Sequence, residues 1–193
     1  MEQQNSLSTE KVNISTQKLL GGIGCVSMLL GSIPGIIGNI LSLLGIIFWL
    51  ISLYQISKKI KKPEIFDKIM KGFILGILGF IIAFIFWSIS YISFYSRSIR
   101  GEEGLSFGMY VGLFIAILIV YVSFIAYSYF QKEAYKILAL ATNHNLFNTA
   151  GLFMYIGAIT SILIVGLVIA FIGMIMLTVA FFTAPDEIEI ENE

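Results

Sequence analysis

Between Lys18 and Lys58 the chain carries no charged residue, and between Lys136 and Asp186 only the weakly basic His144 interrupts a second uncharged run. One membrane-spanning helix needs about 20 apolar residues. A single helix over 19–54 would be about 54 Å long at about 1.5 Å per residue, far more than a hydrocarbon core of about 30 Å. Each run therefore has to fold back on itself. That requirement rules out an ordinary soluble domain and predicts paired membrane helices.

Composition agrees. The 193 residues are 58% hydrophobic and 12% charged, against about 25% charged in ordinary globular domains. Six spans of about 20 residues would use most of the chain and leave only short loops and tails. The formal net charge is zero, so nothing favours nucleic acid as a partner. Cys25 is the only cysteine; it reads as a small buried hydrophobe and not as a lipidated one. The polar start, with Glu2 and Glu10, lacks a basic n-region, so no cleaved signal peptide is expected.

Proline and glycine mark the first reversal at Ser32-Ile33-Pro34-Gly35. This predicts spans over 19–33 and 36–56, with Trp49 and Tyr54 as interfacial aromatics near the far end of the second. A basic loop follows, holding Lys58, Lys59, Lys61, Lys62, Lys68 and Lys71. Pro63 and Glu64 suit the first turn of the next helix. Spans over 70–95 and 107–130 come next, the latter continuing helically through 131–142, which lacks Gly and Pro. Asn143-His144-Asn145 reads as a stop and restart, with Asn145 as cap. The last pair falls at 147–163 and 165–183, its turn expected between Ser161 and Gly166. The two uncharged hairpins resemble each other weakly. Gly24, Gly31 and Gly45 can be set against Gly151, Gly157 and Gly173 with small shifts. Either a parallel duplication or the sameness of glycine-rich apolar sequence explains this.

With six spans, both termini share a side with Lys11, Lys18, the basic loop, Lys132 and Lys136, and only Arg97 and Arg100 lie opposite. The positive-inside rule then places both termini in the cytoplasm, in a cell-membrane, multi-pass protein: an all-α fold with an 18-residue polar N-terminal tail and an acidic tail over 184–193.

Apart from Lys71 at the edge of the third, the spans contain no charged residue, which argues against a proton-coupled transporter and against an intramembrane hydrolase. Asn39 is the costliest polar group inside; it reads as a solute contact or an interhelical hydrogen bond, and Pro34 as a hinge. Small residues at helical spacing offer packing faces: Gly72, Gly76, Gly79 and Ala83; Gly104, Gly108, Gly112 and Ala116; Gly166, Ala170, Gly173 and Ala180. They serve packing within the chain or self-association. Lys58, Lys59, Lys61 and Lys62 either set topology or also hold anionic headgroups. His144 stands alone, without partners at metal-ligand spacing. The tail 186–193 contacts a basic partner or the chain's own lysine loop, or is a solvated end.

The segments Lys18-Leu19-Leu20-Gly21-Gly22-Ile23-Gly24, Pro34, the lysine-rich turn into Ile65-Phe66, Gly72 with Gly76, and Phe147-Asn148-Thr149-Ala150-Gly151-Leu152 with Phe181-Phe182 carry a family pattern. The chain resembles, from about Leu7 to Phe182, the largely archaeal membrane family catalogued as domain of unknown function 996. The resemblance implies an integral membrane protein and supplies no catalytic, cofactor or metal residues. The leading expectation is a non-enzymatic protein without cofactor, acting in the lipid bilayer through helix packing, homo-oligomerisation or a membrane-protein partner. The alternative is a small transporter or channel for a neutral or small solute.

Overall fold

A computed structural model describes residues 9–100 and 107–191. Gly104, placed by sequence in a packing stripe, lies outside them. The element order is β1 (Thr9–Asn13), α1 (Ser15–Leu30), α2 (Ile36–Lys59), α3 (Glu64–Ile99), α4 (Phe107–Thr142), α5 (Leu146–Ile159), α6 (Ile164–Thr183) and β2 (Glu187–Glu191). The architecture is all-α, with one small ribbon joining its two ends.

Local chemistry sets the boundaries. Gly35, at φ 125°, takes a conformation that L side chains rarely adopt and reverses the chain into α2. Glu64 and Asp67 occupy the first turn of α3, where negative charge meets the positive end of the helix dipole. Asn143, at φ 49°, stops α4, and the His144 N–H returns to the Ala139 carbonyl. Asn145 does not cap α5 through its side chain; its backbone is already helical, and its carbonyl accepts from Thr149. The second hairpin turns at Thr160–Leu163, where Leu163 N–H bonds Thr160 O.

The helices pack in the spatial order α2, α1, α6, α5, α4, α3, and α2 touches α3 only slightly. In each of the three hairpins the first helix thus faces the second helix of another. Tyr54 and Phe66, 5.1 Å apart edge to face, mark the slight α2–α3 contact at the lysine-rich end. The core is concentrated at that same end: Ile56, Ile60, Ile65, Ile69, Leu138, Phe147 and Phe181 are all buried.

The outer hairpins α1–α2 and α5–α6 share one packing scheme. A Cβ added to Gly45 would sit 2.7 Å from both Gly24 O and Met28 N; one added to Gly173 would sit 2.8 Å from Met154 N and 3.1 Å from Ala150 O. Gly31 meets Ser42 as Gly157 meets Ala170, and Gly38 and Gly166 each press on the backbone of their own turn. The first helices correspond at a shift of 126 positions (Gly24, Met28, Gly31 to Ala150, Met154, Gly157) and the second at 128 (Gly38, Ser42, Gly45 to Gly166, Ala170, Gly173). The two extra residues fall between Gly157 and Gly166, a stretch that takes in the end of α5 as well as the turn. The contacts of the two hairpins therefore repeat, although they set Gly24 against Ala150 and not against Gly151, the glycine matched with it in the sequence.

Two further sequence expectations are corrected. The acidic tail is not a solvated end: β2 pairs antiparallel with β1, Lys11 opposite Glu189 and Val12 opposite Ile188. Ile188 is buried between the exposed Glu187 and Glu189, the alternation of a strand. Trp49 is not an interfacial aromatic; it is 2% exposed, in the core.

Candidate functional site

At the lysine end the chain ties its own charges. Lys18 pairs with Asp186 at 2.8 Å, and Lys61 with Glu10 at 3.0 Å. Lys59 donates to Asn13 O and Gln17 Oε1. Lys58 lies 5.2 Å from the Tyr54 ring centroid. Lys62 is exposed. The four loop lysines thus do not form one open cluster: Lys59 and Lys61 hold the N-terminal strand, while Lys58 and Lys62 face outward.

The small-residue positions divide. Gly72 meets Phe130 and Tyr127 closely; Gly79 meets Ser123, and Gly112 meets Ser90. Gly76 has only ordinary contact with Tyr127, 3.9 Å away, and Gly108 has nothing within 4 Å. Gly108 is therefore no packing contact within the described chain. Asn39 is exposed, one turn from the Pro34–Gly35 tip, and Pro34 is exposed beside it; neither sits between helices.

The central hairpin leaves a groove. Two adjoining cavities of about 330 and 580 Å³ share Phe80, Val120 and Phe124. The inner one reaches Phe73, Gly76 and Tyr127; the outer one reaches Ala83, Trp87, Tyr121 and the α5–α6 tip at Ser161 and Ile162. The Tyr121 hydroxyl donates to Ile159 O and fixes that tip against α4. The missing side chain at Gly76 and the short one at Ala83 keep the groove open.

Along α4 the lining residues Val120, Phe124 and Tyr127 lead at helical spacing to Gln131. Gln131 is 2% exposed. Its amide is hydrogen-bonded with Tyr127, but its Oε1 has no partner. One turn further Tyr135 is fully buried, and its hydroxyl oxygen accepts from Trp49 Nε1 at 3.1 Å. Sequence reading missed the buried Gln131 and the Trp49–Tyr135 hydrogen bond. The spacing 120, 124, 127, 131 was the available signal, but it leads from an apolar span into the helical continuation 131–142, beyond the expected span.

Among the described residues no three His, Cys, Asp or Glu side chains come together as a metal site needs. His144 Nε2 lies 3.0 Å from Thr183 Oγ1, at the α5–α6 base.

Together these features define an all-α protein with four helices long and apolar enough to cross a membrane, namely α2, α3, α4 and α6. The model for the family described as "Protein of unknown function (DUF996)" matches residues 41–175, and the chain belongs to that family. It is 30% identical over 182 residues to "Uncharacterized protein MJ1644" of Methanocaldococcus jannaschii, covering 94% of this chain and 99% of that one. No solved structure matches it.

Proposed function

We propose that this is a non-enzymatic, multi-pass cell-membrane protein that crosses six times, with both termini in the cytoplasm, and acts through helix packing or through a membrane partner. The observation that carries the reading is the predominantly apolar exterior of the described helices, from Ile36 at 79% exposure to Phe114 at 67% and Ile164 at 81%. In water such a surface would drive aggregation; in lipid it is matched.

Strand pairing of residues 9–13 with 187–191 supports an even number of crossings, because it holds the two ends together. Lysine placement supports the cytoplasm as their side. Helices α1 and α5 are short, 16 and 14 residues, about 24 and 21 Å at 1.5 Å per residue. Their turns lengthen them, and the exposed Asn39 side chain favours a tip that reaches the far polar layer, since a bare amide is costly in hydrocarbon. The α3–α4 hairpin continues past those tips: Trp87 lies level with Ser161, and Arg97 follows about 15 Å further along α3.

Topology is tested on intact cells in a Cys25→Ala background. Single cysteines at Ile36, Ile164 and Arg100 are expected to label with an impermeant maleimide from outside, and a reporter after Glu193 to read cytoplasmic. Labelling at Arg100 alone would leave the outer hairpins inside the bilayer and refute six crossings. For the mode of action, purified protein in liposomes is expected to pass no ions or small neutral solutes. Flux that Asn39→Ala or Pro34→Ala abolishes would overturn the reading in favour of a transporter or channel.

A further inference from the structure

We infer that the cavity at the turn from α4 to α5 is a binding site for a phosphate-type oxyanion, carried by a lipid headgroup or free in solution, with Lys136 as its cation and Asn143, Asn145 and Asn148 as its hydrogen-bond donors. The cavity measures about 330 Å³ and is lined by these four residues with Ala139 and Leu140. The site itself does not depend on the membrane reading above; only a lipid as the source of the phosphate does.

Sequence spacing and turn geometry bring the four side chains together. Lys136, Ala139, Leu140 and Asn143 follow one another at three- and four-residue spacing along one face of α4 and its end. Asn143, at φ 49°, then reverses the chain, in a left-handed conformation that asparagine adopts more readily than most residues. Asn145 and Asn148 return to the same cavity, one turn apart at the start of α5. The fold leaves these polar groups largely unused. Among the described residues Lys136 has no ion pair, and Glu133, one turn away, is held by Lys132 at 3.4 Å. The Asn143 side chain makes no hydrogen bond among the described residues. Asn145 caps nothing with its side chain, and its Oδ1 meets only Asn148 Nδ2, at 3.5 Å. An ammonium offers three N–H donors and a primary amide two. A cation ringed by amide donors selects an anion, and the several oxygens of a phosphate can accept from all of them at once. The depth suits a headgroup too. One turn toward the spans, Lys132 lies 5.7 and 5.2 Å from the ring centroids of Tyr129 and Tyr155, basic and aromatic residues of the kind found at a membrane interface. Lys136 follows about 6 Å further out along α4.

The test uses the full chain in an uncharged detergent, with bound lipid counted by native mass spectrometry. Phosphatidylglycerol is expected to bind saturably, and diacylglycerol with the same chains, which lacks the phosphate, is not. Lys136→Gln should weaken phosphatidylglycerol about tenfold, the scale of one charge-assisted hydrogen bond. Asn143→Gly, which keeps the backbone free to turn, and Asn145→Ala, which removes no cap, should each weaken it by about two- to fivefold. Lys58→Gln takes the same charge from elsewhere on the surface and should change nothing. All four of these side chains are exposed, so the fold tolerates their loss. Inorganic phosphate separates the sources. If it displaces the lipid at millimolar concentration, the site takes soluble phosphate as well; if the lipid stays, the site is restricted to headgroups. Equal weakening by Lys58→Gln and Lys136→Gln would overturn the proposal in favour of general charge attraction. So would phosphatidylglycerol binding no tighter than diacylglycerol, together with an inorganic phosphate ³¹P linewidth that the protein leaves unchanged. The membrane reading fails separately, if the native protein leaves the membrane in alkaline carbonate; phosphate linewidths in parent and Lys136→Gln protein would still decide the site.

Discussion

The outer hairpins and the central hairpin use the same small residues to different ends. In α1–α2 and α5–α6 a glycine faces backbone: Gly45 against Gly24 and Met28, Gly173 against Ala150 and Met154. In α3–α4 Gly72 approaches the Tyr127 carbonyl near the lysine-rich end, but further along Gly79 faces the Ser123 side chain, Gly112 faces that of Ser90, and Gly76 faces little. In lipid, helices gain no hydrophobic driving force from meeting, so close backbone approach has to supply the attraction. The outer hairpins achieve it along their whole length. The central one does not, and where it falls short a groove remains.

The largest effect should come from filling a backbone contact. Gly45→Val and Gly173→Val are each expected to destabilise by about 3 kcal/mol or more, since the opposing atoms are main chain and cannot turn aside. Gly76→Val should cost less than about 1 kcal/mol, because its surroundings are open. Thermal unfolding in detergent compares the three. Equal damage at Gly76 would erase the distinction between the hairpins.

The joint between the two kinds of hairpin is the next test. Trp49 reaches across to Tyr135 on α4, whereas its counterpart in the repeat, Leu177, is apolar. Trp49→Phe leaves the buried tyrosine hydroxyl unpaired and is expected to cost about 1–3 kcal/mol. Leu177→Phe alters volume alone. A Trp49→Phe variant as stable as its parent would show that the hydrogen bond does not hold α2 to α4.

How legible these features were depended on distance along the chain. The first reversal was readable because proline and glycine act locally at 34 and 35. The second was readable only as an interval, since Ser161 to Gly166 holds no proline. The repeat stayed ambiguous in sequence because its two helices carry different shifts, which only the contacts of Gly31 with Ser42 and of Gly157 with Ala170 disclose. Trp49 was misplaced because a tryptophan near a helix end fits a membrane interface as well as it fits a core; Tyr135, 86 residues away, decides between them. The acidic tail misled for a similar reason. Alternating Glu and Ile between 187 and 191 satisfies a strand pattern, but a strand needs a partner, and that partner is at the other end of the chain.

A smaller effect is expected at the closure between the first and last hairpins. Lys18 pairs with Asp186 and also donates to Ala184 O, and its side chain is 17% exposed against 61% for the aspartate. With one partner open to solvent, Lys18→Ala should cost about 1 kcal/mol, and less at high salt. Protease sensitivity of 184–191 should rise more than global stability falls, because the ribbon is only two strands and depends on its anchorage. Unchanged cleavage would show that β1 and β2 hold each other without the ion pair.

The smallest effect separates packing inside the chain from packing between chains. Gly108 has the same sequence spacing as Gly112, yet a Cβ there would meet nothing within 4 Å. Within one chain Gly108→Ala should therefore be neutral or stabilising by about 0.5 kcal/mol, through the lower conformational entropy of alanine in the unfolded chain. Gly112→Ala would press on the Ser90 hydroxyl and should destabilise modestly, because a serine rotamer can give way. If the order is reversed, or if Gly108→Ala shifts the molecular mass measured in detergent, then Gly108 packs against a second chain. The stripe on α4 would then serve self-association at its outer end and the α3 contact further in.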